Sequence, residues 1–96
     1  MEKREFKASR IAGSFWFPTK LIFTEYDVTL EKRYWTGKEL ITISYINIGA
    51  VNVKTGLLYG EILIESTGGQ TIHAKGFTNS DLVVIKEIID EGRRRA

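Results

Sequence analysis

The chain predicts a mainly β fold with one α-helix: six or seven short antiparallel strands in a barrel or sandwich, capped by a C-terminal amphipathic helix. Three observations lead there. Up to Lys75 apolar residues alternate with polar ones, the period of a half-buried strand. Glycine-containing turn signals interrupt that alternation at short intervals. After Asn79 the apolar residues recur at helical spacing instead. Ninety-six residues suit one domain that buries roughly 60–65% of its unfolded surface. We divide it into an N-terminal arm over 1–12 and a single domain over 13–96, with the closing helix at about 79–92.

The elements follow in order. Residues 1 to 10 carry Lys3, Arg4, Lys7 and Arg10 against Glu2 and Glu5 and read as a mobile arm or a leading strand. Pro18 marks a strand start, because it cannot donate to a central ladder. "TKLIFT" is rich in β-branched and aromatic residues, and "EYD" is a tight turn. In "DVTLEKRYW", Val28 and Leu30 face one way while Asp27, Thr29 and Glu31 face the other. "TGK" at 36–38 turns the chain into "ELITIS", with Ile41 and Ile43 on one face. Gly49 breaks the run before "AVNVKTG", and "YGEILIES" sets Ile62 and Ile64 against Glu61, Leu63 and Glu65. "TGG" at 67–69 is a hairpin turn. The last strand, "QTIHAK", points Ile72 and Ala74 inward and Thr71, His73 and Lys75 outward.

Thr78, Asn79 or Ser80 caps the helix, with Asp81 favourable near its positive end. Leu82, Val84, Ile85, Ile88 and Ile89 share one side. Lys86, Glu87, Asp90 and Glu91 share the other, and Val83 falls among them. Gly92 is expected to end the helix, and Arg93 to Arg95 suit its negative end. The apolar stripe needs a partner, and the open mouth of a rolled sheet supplies one.

Composition excludes several function classes. Apolar content of 43% and charged content of 27% are ordinary for a folded soluble domain. No stretch reaches the ~20 apolar residues of a membrane span, and "MEKREFKASR" lacks the apolar core of a signal peptide. Without cysteine there is no disulfide or thiolate metal site, which points to a cytoplasmic setting. One histidine and no cysteine give no ligand set for a metal, and no cofactor is expected. A net charge of +2 and acidic strand faces disfavour nucleic acid.

Three phrases carry a resemblance. "TKLIFTEYDVTL" resembles the opening hairpin of bacterial PH-like domains, members of the pleckstrin-homology superfold. "ISYINIGAVNVKTGLLYGEILIESTGG" resembles their middle strands, and "DLVVIKEIIDE" fills the closing helix. The resemblance spans about residues 19 to 92 and consists of packing and turn motifs. It implies a PH-like barrel and a non-enzymatic module, of a kind in which some members assemble into rings. Many eukaryotic relatives bind phosphoinositides through Lys, a spacer, then Lys/Arg-x-Arg. Here Lys20 is followed by "EKRYW", where Lys32 and Arg33 are adjacent and Tyr34 comes next, so that site is not carried over.

Few residues suggest chemistry. His73 and Lys75 share an outward face, as an ordinary polar pair would, and no nucleophile, base and orienter converge. Glu61 and Glu65 lie roughly 13 Å apart along a strand, beyond the ~5–9.5 Å of glycosidase carboxylates. "EKRYWTGKE" is more informative, because Lys32, Arg33 and Lys38 surround Tyr34 and Trp35 at a hairpin tip. In "GSFWFP" the consecutive Phe15, Trp16 and Phe17 cannot all point inward from a strand. We therefore take Phe15, Trp16, Phe17, Tyr34, Trp35 and Val83 as candidate partner contacts. Lys20, Lys32, Arg33 and Lys38 are the candidate anion contacts. The expected function is a non-enzymatic binding or scaffold module acting through protein contacts, self-association included, with a second copy or another protein as partner. The alternative is peripheral binding of anionic lipid, or another anionic ligand, through the basic and aromatic hairpin.

Overall fold

The computed structural model describes residues 3–8 and 18–96. Seven antiparallel strands form two sheets. The first has the order β1 (Arg4–Lys7), β2 (Lys20–Phe23), β3 (Asp27–Tyr34) and β4 (Gly37–Ser44). A 3₁₀ turn at Tyr45–Asn47 leads to the second, made of β5 (Ile48–Lys54), β6 (Tyr59–Ser66) and β7 (Thr71–Thr78). One helix, α1 (Asn79–Arg95), closes the chain and packs on β5, β6 and β7. This arrangement is consistent with PH-like topology. Of the two readings of residues 1 to 10, Arg4–Lys7 takes the leading strand, paired from Arg4 opposite Phe23 to Lys7 opposite Lys20. Phe15, Trp16 and Phe17 lie outside the described residues.

Alternation builds the core as the sequence predicts. Leu21, Phe23, Val28, Leu30 and Ile43 are buried from the first sheet, and Ile62, Ile64, Ile72 and Ala74 from the second. Leu82, Ile85, Ile88 and Ile89 close over them from α1. Among the described residues no polar or charged residue is buried, so the interior carries no unpaired charge to offset. The turn at Thr24–Asp27 is held by the Thr24 hydroxyl, which accepts from the amides of Tyr26 and Asp27 at 3.1 Å each. It also donates to the Asp27 carboxylate at 2.8 Å, a local competition with strand pairing that favours the turn.

Two glycines act beyond the expected turns. Gly76 has φ +89° and is the extra residue where the pairing shifts from Glu61 opposite Lys75 to Gly60 opposite Phe77. That bulge inverts the alternation, so Phe77 joins Ala74 on the core side. Gly92 does not end the helix: α1 continues to Arg95, with Gly92 buried inside it. The reason is close packing, because a Cβ there would lie 2.6 Å from two atoms of the Tyr45 ring. Thr78 is the N-cap, accepting from the Asp81 amide at 3.1 Å.

Candidate functional site

The strand registers decide which of the predicted contacts share a surface. On the outer face of the first sheet, Lys7, Lys20, Glu31 and Leu40 form one row across the four strands. Arg33 and Lys38 stand directly opposite each other in the next row. Lys32 has the parity of Val28 and Leu30 and pairs with Glu39 on the other side of the sheet. The four candidate anion contacts are thus split three to one. Lys20 is moreover engaged, with its ammonium 3.8 Å from Glu31 and 4.0 Å from Glu5. Glu31 also lies 3.7 Å from Arg33. Glu31 is thus shared between Lys20 and Arg33, and with Lys38 opposite Arg33 this end of the face stays net cationic, a like-charge juxtaposition that costs stability unless an anion or solvent screens it.

Tyr34 and Trp35 form the tip of that hairpin and are 53% and 78% exposed. Leu40, 53% exposed, is separate from the tip: it lies on the outer face in the row of Glu31, beyond the Arg33–Lys38 pair, whereas Tyr34 has the opposite parity. Val83 is 58% exposed on α1, as its place among the polar residues predicts.

Besides Leu40, four exposed apolar residues among those described escaped the sequence reading. Leu57 is fully exposed and Leu58 is 70% exposed, both on the turn between β5 and β6. The turn is pinned all the same. Gly56 N–H donates to Tyr59 O at 3.0 Å and Asn79 N–H donates to Leu58 O at 3.1 Å. The Asn79 side-chain amide donates to Gly56 O at 2.8 Å. Asn79 and Val83 are one helical turn apart, so Val83 flanks the same surface. "GLLYG" held a usable signal, since adjacent apolar residues cannot both point inward, the argument already applied to "FWF". Tyr26 and Ile46, both more than 70% exposed, lie at the far end of α1. With Glu25, Ser44, Tyr45, Gly92, Arg95 and Ala96 they line a groove of about 420 Å³.

The outer face of the second sheet carries the remaining polar cluster. Lys54, Glu61 and Lys75 form a row across β5, β6 and β7. His73, diagonal to Glu61, brings its Nε2 to 2.7 Å from the carboxylate. That hydrogen bond, with the charges of His73, Lys75 and Lys54, holds the Glu61 carboxyl below the usual carboxylate range. His73 is therefore outward, as predicted, but paired through a register no local pattern shows. A shallow cleft of about 350 Å³ beside this row is lined by Lys54, Tyr59, Glu61 and Lys75 among others. Among the described residues no three His, Cys, Asp or Glu side chains group as metal ligands. Nor is any helix there long and apolar enough to cross a membrane. Compared with models of known families and with curated proteins, the chain matches none.

Proposed function

We propose that the chain is a non-enzymatic module of the bacterial PH-like kind that works through protein contacts, self-association included. One observation carries this reading. Among the described residues, all of the chain's large exposed apolar side chains except Leu40 are grouped at three places, each on a backbone held by strand pairing or hydrogen bonds. These are the Tyr34–Trp35 hairpin tip, the Leu57–Leu58 turn with Val83, and the Tyr26–Ile46 groove. Aromatic and branched side chains shown on a fixed backbone lose little entropy when they are covered, which favours association. Solution mass measured by light scattering across a concentration series tests it. A mass above that of one chain, lowered by Val83→Glu or Trp35→Ala, is expected. A single-chain mass at every concentration removes self-association from the reading.

A second reading rests on the Arg33–Lys38 pair beside Tyr34 and Trp35, a cationic and aromatic tip suited to an anionic bilayer. Sedimentation with vesicles of anionic lipid at low salt should then carry the protein down, with Lys38→Glu and Trp35→Ala reducing it. Protein left in the supernatant at low salt removes this alternative.

A further inference from the structure

We propose that the outer face of the second sheet holds a site for a small soluble phosphate monoester, its phosphoryl group seated between Lys54 and Lys75. The site is additional to the protein contacts proposed above and uses residues that they leave idle. The two lysines flank Glu61 in one row across β5, β6 and β7. Two strand spacings of about 4.8 Å put their Cα atoms about 10 Å apart. From there, flexible four-carbon stems let both ammoniums meet one oxyanion. Glu61, the carboxylate between them, pairs with neither. Its Oε2 lies instead 2.7 Å from His73 Nε2, in the neighbouring row. Among the described residues, neither lysine ammonium has an ion-pair partner.

Space is present where the charges are. Both lysines line the cleft of about 350 Å³, part of whose wall is glycine: Gly56, Gly60 and Gly76. A second concavity of about 520 Å³ adjoins it, sharing Lys54 and Glu61 and adding Asn52, Leu63 and His73. Those last three form the next row across the sheet. Together the two suit a molecule with a charged head at the lysines and an uncharged body over Leu63, where Asn52 and His73 offer hydrogen bonds. The donor type selects the head. Lysine holds phosphate as a point charge, and two ammoniums match a phosphoryl dianion. A planar carboxylate is better held by the arginine fork, and no arginine lines either concavity. The body would lie along the sheet, which suits a soluble ester rather than a lipid whose chains must leave for a bilayer.

Glu61 is the site's own competitor. Left free, its carboxylate would take the lysines beside it; held by His73, it leaves them to an external anion. His73 is thus a positioning residue that acts through Glu61.

Titration with phenyl phosphate at pH 7 and matched ionic strength, followed by amide and imidazole NMR shifts, tests the site. Inorganic phosphate serves as the head alone. Both should move the signals of Lys54, Glu61 and Lys75. The ester should bind several-fold more tightly and move Asn52, Leu63 and His73 as well. Lys54→Ala or Lys75→Ala should each weaken the ester about tenfold. Glu61→Gln, which removes a neighbouring negative charge, should tighten it. His73→Ala should weaken it, and adding Glu61→Gln in that background should restore binding, which a merely structural histidine would not allow. None of these four side chains is buried, and urea midpoints near that of the unaltered protein establish that the variants fold. Shifts absent from this row at millimolar ester, or an affinity indifferent to the loss of both lysines, overturn the site. A His73→Ala protein that Glu61→Gln does not restore overturns the positioning role. Binding seen only on vesicles of phosphatidic acid, with none to the soluble ester, overturns the soluble ligand.

Discussion

Replacing Gly92 with alanine tests whether the helix passes through this position because of Tyr45. By intrinsic propensity alone, Gly→Ala inside a helix stabilises by about 1 kcal/mol. The packing argues the other way. The added Cβ would sit 2.6 Å from Cγ and Cδ2 of Tyr45 and 2.8 Å from Cδ1, whereas carbon atoms rest at about 3.5 Å or more. The ring would have to retreat by about 0.9 Å. It is 2% exposed, and its hydroxyl donates to Thr24 O at 2.8 Å. Overpacking costs about 1–3 kcal/mol, and weakening that hydrogen bond adds about 1 kcal/mol. Less the propensity gain, Gly92→Ala should destabilise by about 2 kcal/mol, lowering Tm by about 10 °C in a domain this small. Urea unfolding monitored by circular dichroism should show an earlier midpoint with an unchanged slope. In a Tyr45→Ala background the same substitution should become stabilising by about 1 kcal/mol, giving a coupling energy of about 3 kcal/mol. A midpoint equal to or above that of the unaltered protein would refute the packing argument.

Three further outcomes follow from local geometry. Thr78→Ala removes the side-chain oxygen that accepts from Asp81 N–H, and should cost about 1 kcal/mol in urea unfolding. Burial, then the nearby Asp27 charge, pushes the Tyr45 hydroxyl up to about 12 from 10.0. The folded state thus holds this proton more tightly than the unfolded chain. Its stabilising effect is complete below pH 10 and is lost as pH rises toward 12. Urea midpoints through that window should fall more steeply for the unaltered protein than for Tyr45→Phe. For Glu61 the sign reverses, because its folded carboxyl is held below the usual range. Its contribution is present above the ordinary carboxylate value and disappears as pH falls through the lowered one. Carboxyl NMR titration should show the Glu61 midpoint moving up toward the ordinary value in His73→Ala.

Which features were legible follows from how local their causes are. Val28 and Leu30, Ile62 and Ile64, or Ile72 and Ala74 announce their faces because a strand has a period of two and no partner is needed to read it. The helix stripe of Leu82, Ile85 and Ile89 is equally local. Gly92 was misread as a stop because the ring that requires a glycine comes from the turn at Tyr45–Asn47, far away in sequence. Lys20 looked available to an anion because Glu5 reaches it only through β1 pairing with β2. The His73–Glu61 pair likewise depends on the register of β6 against β7. Lys32 is a different case. Its adjacency to Arg33 already placed the two on opposite faces of a strand, so alternation could have divided that basic cluster.

The helix links stability to the surfaces proposed for association. At one end Asn79 begins α1 and fixes the turn bearing Leu57 and Leu58. At the other, Gly92 lets Tyr45 pack against the helix backbone and contributes to the groove beside Ile46. A larger residue at position 92 would therefore act twice, pressing on a buried ring and filling part of the concavity. If self-association uses the Tyr26–Ile46 groove, which Gly92 lines, Gly92→Ala should weaken it even under conditions where the variant remains folded. A folded Gly92→Ala protein with undiminished oligomeric mass would separate the two roles and leave Gly92 a packing residue alone.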